Sequence, residues 1–308
     1  MYQDALHLKC AMDDSESQNM LTFNRLLVAT DFSAASDGAF EYAASIAIRY
    51  DAQIYVVHVI DSGPFDVIAS ESKSSTLAQV EEEARRKIEC MLTTRKIPTE
   101  QYHILVTEGI VTDAIYDIIR EQQIDLAVLG THGRRALKKL LMGSVDEEVF
   151  RTAPCAVLNI GPSVRPVSVG AELRHILYPV EVAPDWSNAA KYAVSVAERY
   201  GGKLTLMNVR EDVPASPNES EELPIPVESW IDDHIPRGSG LRKWVYFESG
   251  SGSAADAILK YAWTGAVDLI VLGLHSLDPI IAAHLPKPDT GYEIVSRAPC
   301  PVLTIRSA

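Results

Sequence analysis

The chain states one pattern twice. Residues 25–60 read RLLVATDFSAASDGAFEYAASIAIRYDAQIYVVHVI, and residues 175–210 answer with HILYPVEVAPDWSNAAKYAVSVAERYGGKLTLMNVR. Tyr42 matches Tyr192, Tyr50 matches Tyr200 and Val59 matches Val209, with no insertion between them. The ends repeat as well: RTAPCAVLNI at 151–160 returns as SRAPCPVLTI at 296–305. Each copy is about 140 residues long, an ordinary length for one folding unit. The chain therefore reads as a tail over 1–22, a first domain over 23–160, a Gly/Pro/Ser linker over 161–171 and a second domain over 172–308.

Within the first copy, short apolar runs alternate with helical patterns. Strands are expected at Leu26–Ala29, Ile54–Val59, His103–Val106, Leu126–Leu129 and Ala156–Ile160. Helices are expected over 36–50, over the charged stretch 77–96, from an N-cap at Thr112, and from Ser144 to Thr152. Strands separated by helices predict an α/β fold with a parallel sheet covered on both faces, once per domain. The second copy departs at 211–240, where Pro214, Pro217, Pro224, Pro226 and Pro236 replace the charged helix. An extended or loosely ordered insertion is expected there, with helical character only at Val227–Asp232.

Charge and cysteine usage exclude several classes. A net charge of −14 argues against a general nucleic-acid or acidic-membrane binder, because neutralising phosphates requires clustered lysine and arginine. Cys10, Cys90, Cys155 and Cys300 stand singly with no C-x-x-C, which argues against zinc or a redox pair. Cys155 and Cys300 occupy matching strand-like runs and read as small buried hydrophobes. No apolar stretch reaches membrane-spanning length, and the first twenty residues lack the apolar run of a signal peptide, so a cytoplasmic protein is expected.

Chemistry concentrates in GTHGRRALKKLLMGSVDE, residues 130–147. Gly130 closes a buried strand, Gly133 follows two residues later, and Gly143-Ser144 follows after nine more. Ser144 to Glu147 fits a capping box at a helix start, whose free amides and positive dipole end suit phosphate. Arg134, Arg135, Lys138 and Lys139 crowd the same loop. The assembly reads as a triphosphate cradle and is not a Walker loop. Blander readings stand beside it: a solvated basic loop for the cations, a turn for the glycines, and a helix cap for Asp31. His58 and His132 have no partner at a spacing suited to metal or catalysis.

The spacing G-x2-G-x9-G-[ST] resembles the ATP-binding motif of the universal stress protein family. V-A-T-D at the first strand, H-V-I at the second, E-G at 108–109, D-L-A-V-L-G and A-P-C-A-V-L agree with it, across residues 24 to 306. The resemblance implies two open, five-stranded, Rossmann-like sheets with nucleotide at the strands' carboxyl ends. It implies Asp31 beside adenine and ribose, the Val59 main chain against adenine, and Gly130, Gly133, Gly143 and Ser144 on ribose and phosphates. Pairing through the last strands, common in the family, implies an intramolecular pseudo-dimer here, with a homodimer of whole chains left open.

The second copy loses this chemistry. Ser276 stands for the second glycine, Pro288-Asp289 for Gly143-Ser144, Glu181 for Asp31, and only Lys287 remains of the basic group. A proline has no amide to donate, and an aspartate repels phosphate. The expected function is a stress-response protein that binds ATP, with or without Mg²⁺, in the first domain only. It would act as a regulator or protective factor and not as an enzyme. A slow ATPase or nucleotidyl transferase, and a dimerisation module with a vestigial pocket, remain as alternatives.

Overall fold

The computed structural model describes residues 21–61, 70–131, 144–167, 170–180, 187–210, 227–274 and 290–306. The first domain runs β1 (Arg25–Ala29), α1 (Ala34–Tyr50), β2 (Gln53–Ile60), α2 (Ser70–Thr94), β3 (Tyr102–Glu108), α3 (Val111–Glu121), β4 (Leu126–Gly130), α4 (Ser144–Thr152) and β5 (Ala156–Ile160). The second runs β6 (His175–Pro179), α5 (Ser187–Tyr200), β7 (Lys203–Arg210), α6 (Val227–His234), β8 (Val245–Ser251), α7 (Ala254–Thr264), β9 (Leu269–Leu274), α8 (Thr290–Arg297) and β10 (Val302–Arg306).

Each half is a parallel five-stranded sheet in the order 3-2-1-4-5, and the halves join into one ten-stranded sheet, β3-β2-β1-β4-β5-β10-β9-β6-β7-β8. The join is the pairing of β5 with β10, antiparallel, with Leu158 opposite Leu303. The sheet edges that an open fold leaves at its last strands thereby cover each other. Asn159, fully buried, crosses the seam: its Nδ2 donates to the Val302 carbonyl at 3.1 Å and to Thr304 Oγ1 at 3.2 Å. Thr304 Oγ1 in turn donates to the Val157 carbonyl at 3.2 Å.

The two faces differ. On one, α1, α2, α5 and α6 share a single core that runs unbroken from Phe40 and Leu92 through Leu303 to Trp230. On the other, Ile115, Ile119 and Val149 pack under α3 and α4, while Ile258, Leu259 and Val295 pack separately under α7 and α8. Both faces of the central strands are covered, so those strands read as continuous apolar runs.

The segments entering each domain cross to the other. Leu21 donates its amide to Ser195 Oγ on α5 at 3.1 Å. Gly170 and Ala171 donate theirs to Ser45 Oγ on α1 at 2.9 and 3.1 Å. Ser45 and Ser195 are the same position of the repeat. Phe23 stacks on Tyr192 at 5.9 Å between ring centroids, and the Tyr42 hydroxyl donates to the Arg165 carbonyl of the linker at 3.2 Å. The linker is thus packed along α1 rather than loose.

One sequence expectation is corrected. Thr112 does not cap α3. The cap position is Ile110, without a side-chain bond, and Thr112 is buried inside the first turn. The helical character expected at Val227–Asp232 is found as α6, and a 3-10 turn follows it. Trp230, Ile235 and Leu241 carry α6 and the following 3-10 turn at Gly240–Trp244 into the core. The buried indole anchors α6 because it removes a large apolar surface from water. Residues 211–226 lie outside the described residues.

Candidate functional site

The strand order changes direction between β1 and β4: the chain winds outward through β2 and β3, then returns to place β4 on the other side of β1. A crevice opens at the carboxyl ends of such a pair, because the following segments leave in opposite directions. Asp31 lies just past β1, and Gly130 ends β4. The same reversal occurs in the second half between β6 and β9.

The turn from β1 into α1 is built from side chains that bind the main chain locally. Phe32 donates its amide to Thr30 Oγ1 at 3.1 Å, and Ser33 donates to Asp31 Oδ1 at 2.9 Å. Ser33 is the N-cap, in a reciprocal capping box with Ser36. The open alternative for Asp31 resolves accordingly: Ser33 caps the helix, and the Asx turn orients the half-buried Asp31 carboxylate at the strand end. This turn forces Phe32 to φ 59°, a left-handed conformation that costs a non-glycine residue about 1 kcal/mol. Phe32 lies 4.6 Å from the His58 ring, with the Lys87 ammonium of α2 at 5.4 Å on its ring. Sequence reasoning missed Phe32 and Lys87, since neither the φ nor the approach of α2 has a local signature. The polar run T-D-F-S-x-x-S after an apolar strand was the available signal for the turn.

Val59 is presented by a mismatch in strand length. The β1–β2 ladder ends at Ala29 opposite Val57, with one further bond from the Thr30 amide to the Val57 carbonyl at 2.8 Å. β2 continues to Ile60. Alternate residues of a strand turn their main-chain groups to the same side. Val57 faces β1, and Ile60 faces β3, accepting from Gly109 at 3.1 Å. The amide and carbonyl of Val59 therefore point past the end of β1, toward the crevice. His58 Nδ1 meets the Thr30 carbonyl at 2.8 Å and braces that strand end.

Gly130 is required by packing. A Cβ there would lie 2.4 Å from the Ala35 carbonyl oxygen, because the first turn of α1 rests directly on the end of β4. Beyond it the buried Thr131 donates its amide to the Ile160 carbonyl at 3.0 Å. Ser144 opens α4, whose start faces the same end of the sheet because it follows β4. Asp31, Val59 and Gly130 are thus brought together, with the main chain of Ser144 at the same end. Gly133, Arg134 and Gly143 lie outside the described residues, as do Arg135, Lys138, Lys139 and His132.

The second crevice differs in its described part. Val180 replaces Thr30, removing the hydroxyl that holds the turn, and Asn208 replaces His58. Trp230 is buried, stacked on His234 at 4.5 Å and lying 6.1 Å from Tyr178, so its surface is consumed by the core. Glu181, Ser276, Lys287, Pro288 and Asp289 lie outside the described residues. Burial pushes the thiols of the half-buried Cys155 and the buried Cys300 up to about 12, so neither is a ready thiolate. Among the described residues no group of histidine, cysteine and carboxylate side chains is placed to hold a metal, and no helix is long and apolar enough to cross a membrane.

Two doubly wound α/β domains, each with a crevice at the reversal of strand order, define the class of protein. The sequence profile of the Universal stress protein family matches residues 22–160 and again 172–306, and the chain belongs to that family as a tandem member. A universal stress protein of Methanocaldococcus jannaschii is 31% identical over 142 residues, 45% of this chain and 82% of its own length. The universal stress protein A homolog 1 of Coxiella burnetii is 33% identical over 144 residues, 45% of this chain and 96% of its own. A crystal structure of a universal stress protein from Archaeoglobus fulgidus superposes with a TM-score of 0.70 at 18% identity, covering 94% of this chain and 100% of that one. At that identity the likeness concerns the fold.

Proposed function

We propose that the first domain binds one adenine nucleotide, ATP, and that the second does not. The observation that carries this reading is the crevice between β1 and β4. There the Asp31 carboxylate offers an acceptor for ribose hydroxyls, and the Val59 main chain offers one donor and one acceptor to a base edge. The helix start at Ser144 offers amides to phosphate. These groups fit the chemistry of an adenine nucleotide, and Arg134 with Gly133 and Gly143 would complete its phosphate site. Mg²⁺, if bound, would offset the negative charge of the phosphates. In this reading the site binds nucleotide rather than turning it over. The protein would act as a nucleotide-responsive regulator or protective factor of the cytoplasm.

Mass spectrometry of nucleotide released from the purified chain, followed by calorimetry of the emptied protein, tests this reading. One ATP site per chain is expected. Gly143→Pro should abolish binding and Gly273→Ala should leave affinity unchanged. Two equivalent sites, or none, overturn the reading, and steady-state phosphate release would replace binding with turnover.

A further inference from the structure

The strand β3 ends the sheet on the side of the first domain. Gly109 donates to the Ile60 carbonyl, so Leu105, Thr107 and Gly109 turn their main-chain groups toward β2. By the alternation of a strand, Ile104 and Val106 turn theirs outward, where no further strand pairs among the described residues. Natural sheets blunt such edges with lysine, proline or bulges. This strand, YHILVTE, has none of them, and its centre from Ile104 to Thr107 is half-buried.

A groove of about 480 Å³ runs along this edge. Its floor is β3 from Ile104 to Glu108 with Gly109 and Ile110 beyond it, and Arg85 of α2 stands on one side. The other wall is α3, whose Asp113, Asp117 and Glu121 line the groove and are exposed. These three recur every fourth residue and form one stripe along the helix. Four residues of helix rise about 6 Å, and two residues of strand span about 6.7 Å. The stripe therefore keeps step with alternate side chains of an extended segment laid against β3. Asp117 also pairs with Arg120 at 2.5 Å, an exposed contact that yields readily to a competing cation.

The second domain provides the control. In α7 the matching positions are Asp256, Lys260 and Thr264, so the acidic stripe belongs to the first domain alone. A second copy of this chain is a poor occupant, because a net charge of −14 and two facing acidic stripes repel. We propose that the β3 edge is a docking site for an extended cationic segment of a partner protein, added to the sheet as an eleventh strand. Outward main-chain groups of Ile104 and Val106 would supply the pairing, and the α3 stripe would select lysine or arginine at alternate positions.

Fluorescence anisotropy with the full chain tests this. The probe is a labelled eight-residue peptide of alternating lysine and valine, with a glutamate-valine twin as control. The lysine peptide should bind and the glutamate twin should not. Reversing the stripe with Asp113→Lys, Asp117→Lys and Glu121→Lys together should weaken binding at least about tenfold. Val106→Pro removes an outward donor that β2 does not use, is tolerated at a sheet edge, and should weaken binding comparably. Bound peptide should also slow amide exchange at Ile104 and Val106. Absent binding, equal binding of the twin, or undiminished binding by either variant with native circular dichroism overturns the proposal. So does a concentration-dependent dimer whose β3 amides are already protected, which would assign the edge to a second copy.

Discussion

Arg49 and Arg199 close the two halves on each other symmetrically. Arg49 Nε donates to the Arg199 carbonyl at 3.2 Å, and Arg199 Nε donates to the Arg49 carbonyl at 3.1 Å. Each guanidinium also lies 4.9 Å from the ring centre of the other half's tyrosine, Arg49 over Tyr200 and Arg199 over Tyr50. The repeat that opens the sequence thus reappears as a pseudo-twofold axis passing between these residues and between Leu158 and Leu303.

Arg49→Ala and Arg199→Ala should each cost about 1 kcal/mol, Arg49 through one charge-assisted bond and Arg199 through two to the same carbonyl, each with one cation–π contact at a partly exposed site. The pair should be non-additive, because both contacts share the axis. Denaturant unfolding of the single and double variants measures this. Strict additivity would mean that the two arginines act independently.

The crossed lead-in segments make a second prediction. Ser45→Ala leaves the Gly170 and Ala171 amides without their acceptor, and Ser195→Ala does the same to Leu21. Each change should cost about 1 kcal/mol, and amide exchange should quicken first in those segments. Exchange rising uniformly across both domains would contradict a local clasp.

Gly130→Ala should destabilise the fold by about 1–3 kcal/mol, because the new methyl meets the Ala35 carbonyl. Gly38→Ala, in the same helix α1 but with nothing within 4 Å of the added atom, should instead stabilise by about 0.5–1 kcal/mol. Thermal melting of the two variants, shifted in opposite directions, is the expected result. A neutral Gly130→Ala would leave ligand approach as the sole reason for that glycine.

His175 sets a pH dependence. Burial, with Lys203 nearby, holds its ring below the ordinary value of 6.5. Nδ1 meets the Gly265 carbonyl and Nε2 meets Thr205 Oγ1, each at 2.9 Å, which suits the neutral ring. The unfolded chain takes up a proton at higher pH than the folded one, so this residue's contribution is complete above about pH 6.5 and is lost as pH falls below it. His175→Gln should flatten that acid limb in urea titrations taken from about pH 7 to 5. An unchanged slope would assign the limb to other groups.

The two domains, their α/β class and the positions of nearly all strands were legible in the sequence. The signals are local: apolar runs of strand length, helical spacing, and a repeat that holds register from Tyr42/Tyr192 to Val59/Val209. The positions of Asp31, Val59 and Gly130 at the carboxyl ends of β1, β2 and β4 were legible because each closes or follows a short apolar run.

Tertiary structure decided what depends on distant partners. The outward Val59 main chain follows from where β1 ends relative to β2. The burial of Trp230 in a proline-rich insertion follows from the space that α5 and β6 leave above the second sheet. The acidic stripe on α3 gains a meaning only beside the unpaired edge of β3. Periodicity along a chain reports which face of an element is apolar, whereas these features arise from contacts between segments that the chain order separates.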